Sequence, residues 1–300
     1  MLACFHNTPS HIKIQQSVQT NGTLINNAWI DLFQEFQVNI GISVDGPAHI
    51  HDIHRVNWKN KGSHAQVQKA ITLLKERNVR FTGIAVVTHY SLDYPDEIFY
   101  YFLNNNFESF GLSVENIEAH NSTSTFSRSE LSQSDVFHKY QKFMTRMLEL
   151  WFMHKDKIRI REFSKFLKIN AYTDLSNKPP RLSEAEPLKI ISIDKEGYLY
   201  TFSPELVSLP KEYNANFVFG HIDEINDFDD ILKSRKLIET HAQIQKGRQM
   251  CEETCGYFNR CGGGTPASKF FENNTFESTE TYACLLKQKL LNDLLAKYLA

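Results

Sequence analysis

The sequence predicts an α/β protein of parallel strand–helix units, followed by a second region of different character that carries cysteines. Three observations support this. Short β-prone runs alternate with apolar stripes of helical period through the first part of the chain. Polar turn residues gather where each run ends. Four of the five cysteines lie between Cys251 and Cys284.

The elements follow in order. Lys13 to Gln19 is a β-prone run that ends in the turn Thr20-Asn21-Gly22. Trp29, Leu32, Phe33 and Phe36 then recur at i, i+3, i+4 and i+7, the stripe of a helix packed on one face. Val38 to Val44 is a second strand, closed by Asp45-Gly46-Pro47. Ser63 is placed to N-cap a helix carrying Val67, Ile71, Leu73 and Leu74. Phe81 to Thr88 is apolar enough for a strand buried on both faces. A helix over Pro95 to Leu103 and a fourth strand over Ser109 to Glu115 complete the series. Right-handed crossovers would curl such units into a barrel or an open sheet. In both, ligands bind at the C-terminal strand edge. There Gln19-Thr20-Asn21, Ser43 and Asp45, Thr88-His89 and Glu115-Asn116 collect. Any one of these could be a turn former only; four in succession point to a site.

Asn121 to Ser134 reads as a loop, and Asp135 to His154 as a long helix carrying Phe137, Tyr140, Phe143, Met144, Met147 and Leu148. Asn177 to Pro187 is the linker candidate, which divides the chain into 1–180 and 181–300. Beyond it, Lys189 to Phe202 alternates like a hairpin around Lys195-Glu196-Gly197, and a helix spans about Ser234 to Met250.

A formal net charge of −2 calls for neither nucleic acid nor an anionic membrane as a partner. No apolar run approaches a membrane span, and Met1 to Ile14 does not read as a secretory signal. A cytoplasmic protein is expected. An odd cysteine count in that setting argues for reduced thiols. Cys251-x3-Cys255-x5-Cys261, with Cys284 further on, supplies four thiolates, and Gly256 and Gly262 to Gly264 let the backbone bend around a bound object. Thiolates suit both Fe–S clusters and zinc, and the spacing leans toward Fe–S. Buried structural thiols are the plainer alternative.

An ordered series of motifs resembles the radical SAM/SPASM peptide maturases, of the cyclophane-forming type related to anaerobic sulfatase maturases. The series runs Gln19-Thr20-Asn21-Gly22-Thr23-Leu24, Gly41-Ile42-Ser43-Val44-Asp45-Gly46-Pro47 and His51-Asp52-Ile53-His54-Arg55, then Val114-Glu115-Asn116-Ile117-Glu118 and Thr201-Phe202-Ser203-Pro204-Glu205-Leu206. It closes with Cys255-Gly256-Tyr257-Phe258-Asn259-Arg260-Cys261-Gly262-Gly263-Gly264-Thr265-Pro266 and Ser278-Thr279-Glu280-Thr281-Tyr282-Ala283-Cys284. The resemblance implies a partial TIM-type barrel missing its first units, joined to a SPASM-like extension. In that extension Cys251, Cys255, Cys261 and Cys284 would hold one auxiliary [4Fe–4S] cluster. Ser43 and Arg55 match positions that touch S-adenosyl-L-methionine (SAM), Arg55 through the carboxylate, and Gln19 and Asn21 match the strand edge near the adenosyl group. The implied activity is radical hydrogen abstraction from a ribosomally made precursor peptide.

Two departures qualify this. The family's Cys-x3-Cys-x2-Cys and Gly-Gly-Glu motifs are absent from the sequence, in which Cys4 is the one cysteine before Cys251. The hairpin at Ile190 to Tyr200 has no cysteine. The expectation is a truncated product, a degenerate gene, or one half of a split enzyme that needs a separate N-terminal partner and is inactive alone. The rival reading is a non-catalytic peptide-binding module with a structural zinc or Fe–S site. No residue is assigned a catalytic role; His51, His54 and His120 read as structural.

Overall fold

A computed structural model describes residues 11–118, 121, 124–128, 133–176, 178–209 and 216–299. Cys4, His120 and part of the 121–134 segment therefore lie outside the described residues. The strands β1 (Ser17–Thr20), β2 (Asn39–Ser43), β3 (Phe81–Val87), β4 (Ser109–Val114) and β5 (Arg159–Ile160) form one sheet in chain order, every neighbour parallel. Sequential order distinguishes a barrel wall from a doubly wound sheet, in which the order reverses. Five such strands make a partial barrel, against eight in a closed one.

The helices between and after them are α1 (Asn27–Glu35), α2 (Ala48–His51), α3 (His64–Glu76), α4 (Pro95–Asn104), α5 (Thr125–Arg128), α6 (Gln133–His154) and, following β5, α7 (Arg161–Ser176). Asn26 caps α1 by accepting from Trp29 N. The buried face of α1 is Ile30 and Phe33; Trp29 and Leu32, expected in the packed stripe, stay exposed, with the Trp29 ring stacked on Phe33. Ser63 stands at the N-cap position of α3 without capping it; Asp52 accepts from His64 N at 2.8 Å instead. The expectation that the third strand is buried on both faces holds for one face only. Phe81, Gly83, Ala85 and Val87 are buried, and Thr82, Ile84 and Val86 are half-buried.

Phe102 is the centre of the aromatic packing here. It stacks on Phe110 at 4.3 Å and meets Phe107 edge-on at 4.8 Å. A Cβ on Gly83 would lie 2.5 Å from Phe102, so this strand position needs glycine for close packing. The sequence reading missed β5 and α7, which bury Ile160 and Phe163 completely.

Contacts divide the chain into two units, Met1–Val114 with Leu131–Lys165, and Glu115–Glu130 with Phe166–Ala300. The second unit holds an antiparallel sheet of β6 (Ile191–Ile193), β7 (Tyr198–Thr201) and β8 (Gly220–His221). Asp194 makes the predicted hairpin turn by accepting from the backbone N–H groups of Glu196 and Tyr198, with Gly197 at φ 93°. The remaining helices are α8 (Phe228–Leu232), α9 (Arg235–Thr254), α10 (Phe258–Cys261), α11 (Pro266–Asn273), α12 (Tyr282–Cys284) and α13 (Leu291–Leu299), with a π-helical turn at Leu285–Leu290. Their core includes Leu199, Phe202, Leu206, Leu237, Ile244 and Phe276.

Candidate functional site

The C-terminal ends of β1 and β2 bring two of the predicted site residues together. Parallel pairing sets Gln19 opposite Gly41. The Gln19 side chain lies across that glycine, where any Cβ would sit 2.1 Å from Oε1, and its Nε2 donates to Ser43 Oγ at 3.0 Å. Gly41 is therefore a seat that lets a side chain of one strand reach the next. Asn21 is not part of this pair. Its Oδ1 accepts from Thr23 N and Thr23 Oγ1 and shapes the turn after β1.

Arg55 is held by Asp45. Its Nε and Nη2 donate to the two carboxylate oxygens at 2.6 and 3.0 Å, and Asp45 Oδ1 also accepts from Val86 N at 2.8 Å. One buried carboxylate thus joins the ends of β2 and β3 to the loop that carries Arg55. His51, fully buried, completes the arrangement. Its Nδ1 accepts from Asp45 N at 3.3 Å, and its Nε2 lies 3.0 Å from Ser63 Oγ. Because Ser63 Oγ donates to Arg55 O at 2.9 Å, the proton between them sits on Nε2, and the imidazole is neutral. Burial pushes His51 down to about 4, with Asp45 opposing and Arg55 adding to the fall. The sequence offers Asp45 or Asp52 as a surface ion-pair partner for Arg55; the structure selects Asp45 and buries it, and the link through Ser63 was not foreseen.

The second unit gathers the cysteines. Cys251 closes the last turn of α9, Cys255 follows it, Cys261 ends α10 and Cys284 ends α12. All four are free thiols. Gly262, Gly263 and Gly264 all take positive φ, between 74° and 108°, and carry the chain around this cluster. Gly263 N donates to Cys261 Sγ at 3.3 Å. Cys251 is buried, with Gly263 O at 3.6 Å and Thr279 O at 3.8 Å from its sulfur. Lys269 Nζ donates to the same sulfur at 3.4 Å. Burial pushes the Cys284 thiol up to about 12, with the neighbouring charges of Cys261 and Cys255 in the same direction. Burial also raises Cys261, with Cys251 and Cys255 adding to it and the N–H groups of Gly263 and Gly264 opposing. The four sulfurs are electrostatic neighbours. Among the described residues, no three His, Cys, Asp or Glu side chains converge tightly enough for a single metal ion, whose thiolates would all lie about 2.3 Å from one centre. Thiolates, here with an N–H···S bond at Cys261, are the donors that zinc sites and Fe–S clusters both use.

Two acids of the 115–118 segment are placed differently from each other. Glu115 accepts from Thr125 N and Oγ1 at 2.7 and 2.5 Å, so it holds the start of α5 rather than an open cavity. Burial, and then the like charge of Glu205, raise the Glu118 carboxyl, against Lys287 and Asn116. Phe202 takes φ 73°, rare for a bulky residue, and Ser203 Oγ beside it is buried without a hydrogen-bond partner. This local feature lies within the Thr201–Leu206 motif. A groove of 560 Å³ between α1 and α3 contains neither the Gln19–Ser43 pair nor a cysteine.

The parallel sheet in barrel order, with a cysteine-bearing unit after it, matches the fold of solved structures of anSMEcpe with bound AdoMet. The structure of anSMEcpe with bound AdoMet superposes over 96% of this chain and 71% of its own, with a TM-score of 0.75 at 21% identity. Streptococcus suis SuiB bound to precursor peptide SuiA covers 90% of this chain and 59% of its own, with a TM-score of 0.58 at 13% identity. By sequence part of the chain is similar to anaerobic sulfatase-maturating enzymes. It is 35% identical over 109 residues to the serine-type enzyme of Bacteroides thetaiotaomicron, 36% of this chain and 26% of that one. An uncharacterized protein of Synechocystis sp. is 37% identical over 268 residues, 89% of this chain. The match spans 65% of that relative's length. No protein-family model matches the chain.

Proposed function

We propose that the chain is the substrate-modifying part of a radical SAM/SPASM maturase acting on a ribosomally made peptide. The observation that carries this is the set of four neighbouring, free cysteines on a glycine-bent segment, with Gly263 N–H aimed at Cys261. Cys251, Cys255, Cys261 and Cys284 would hold one auxiliary [4Fe–4S] cluster. Ser43, Gln19 and Asn21, at the strand edge, would meet SAM. Arg55 fits its carboxylate because Asp45 engages only Nε and one Nη2 proton, which leaves the guanidinium edge formed by Nη1 and Nη2 for a second acceptor. SAM and a reduced catalytic cluster together supply the radical chemistry; the chain's residues bind, orient and exclude water. Asp45 fixes the direction of Arg55, Gly41 fixes that of Gln19, and neutral His51 keeps the loop in place. Within these 300 residues no three-cysteine catalytic motif is present, so those ligands have to come from outside them, on the same polypeptide or on a separate one.

A peptide substrate is the reading favoured by the resemblance to SuiB, whose structure contains a precursor peptide. The reduced thiols suit a cytoplasmic setting. Among the described residues no helix is long and apolar enough to cross a membrane. The test is anaerobic reconstitution with ferrous iron and sulfide, followed by metal and sulfide analysis. About four irons and four sulfides per chain are expected, lost in Cys261→Ala. Stoichiometric zinc without sulfide would replace this reading by the structural-metal module.

A further inference from the structure

Lys269, on α11, is only 3% exposed. A buried ammonium demands compensation. Among the described residues its Nζ has two partners, Gly247 O at 2.8 Å and Cys251 Sγ at 3.4 Å, and no carboxylate pairs with it. The fold goes to some length to create this position. Gly247 lies one helical turn before Cys251, and a Cβ there would sit 1.9 Å from Phe276 O and 3.3 Å from Lys269 Nζ. Only glycine lets the Phe276 carbonyl and the lysine head come down on α9 beside the sulfur. Apart from that backbone carbonyl, the group this lysine faces is the Cys251 sulfur.

We propose that Lys269 is the positioning and tuning residue of the cluster bound by Cys251, Cys255, Cys261 and Cys284. Its ammonium is the local counter-charge and raises the cluster's reduction potential. This rests on the cluster reading above. A cation and an N–H···S bond beside a cluster ligand stabilise the more negative, reduced state, so adding one electron becomes easier. Gly263 N–H acts in the same sense at Cys261, and Lys269 does so with a full charge at Cys251.

The experiment compares the reconstituted wild-type chain with Lys269→Met, Lys269→Gln and Lys269→Arg, by iron and sulfide content and by an electron-paramagnetic-resonance redox titration with dithionite. Met and Gln are expected to shift the midpoint to more negative potential, by at least a tenfold change in the reduced-to-oxidised ratio (~59 mV for one electron). Arg is expected to stay near wild type. If Lys269→Met fails to fold or load, Lys269→Gln carries the comparison, since it keeps an N–H donor and loses only the charge. A neutral variant that retains four irons at an unchanged midpoint overturns the proposal and leaves the cluster standing. A wild-type chain that takes up no iron and sulfide overturns the cluster reading itself, and this inference with it. A lysine that merely braces α9 against α11 would change unfolding and leave the midpoint where it was.

Discussion

At the scale of single residues, the Asp45–Arg55–His51 arrangement determines how the molecule responds to pH. The folded His51 value of about 4 lies below the ordinary 6.5, so as pH falls the unfolded chain takes up that proton first. The stability that neutral His51 contributes is present above pH 6.5 and is lost between 6.5 and 4. Between pH 7 and pH 5 this amounts to about 2 kcal/mol. Urea unfolding at the two pH values should show that fall in wild type, and a smaller one in His51→Gln. Asp45→Ala removes both Arg55 bonds and the Val86 N–H bond from a buried position. It should cost about 3 kcal/mol in the same measurement. On the function proposed above, Arg55→Lys, which keeps charge but loses the planar fork, should weaken SAM binding about tenfold by equilibrium dialysis. An unchanged affinity would remove Arg55 from the SAM site. The sequence placed Gln19 and Ser43 near strand ends, while Arg55 came from the resemblance alone; the pairing register then brings Gln19 to Ser43. It did not reveal that Asp45 reaches both Arg55 and Val86 N, because that contact depends on where β3 ends, 41 residues away.

At the scale of elements, period decided what could be read. Strands of period 2 and helices of period 3.6 alternate clearly from Ser17 to Val114, and β2, α3, β3, α4 and β4 fall where expected. β5 is two residues long and too short to show a period, and α7 starts directly from it, without a turn between. The burial of β3 was overstated for a related reason. An apolar run announces that a strand can be covered on both sides, and only its neighbours determine whether it is. Gly83 marks the covered side. Gly83→Ala forces Phe102 and Phe107 aside and should cost about 1–3 kcal/mol by overpacking. Gly247→Ala meets backbone rather than a ring. It should therefore unfold at lower urea than Gly83→Ala, and an equal or smaller loss would show that α9 can slide away from Phe276.

Across the whole molecule, the order of motifs along the chain was more informative than any one of them. The cysteines were legible as a group, because four thiols on a glycine-rich stretch have few other uses in a reduced protein. Lys269 was not, since its distance from Cys251 is set by α11 folding back on α9 across the Gly262–Gly264 bend. The allocation of residues 115–130 was equally hidden. That stretch leaves the last long strand of the parallel sheet and folds with residues 166–300, after which residues 131–165 return to the first unit. The polypeptide thus crosses from one unit to the other three times. No single cut separates them, so a recombinant fragment starting at Phe166 would lack Phe126, which meets Tyr282 within its own unit at 6.4 Å. Domain dissection of this protein calls for a circularly rearranged or two-piece design, in which 115–130 is supplied alongside 166–300.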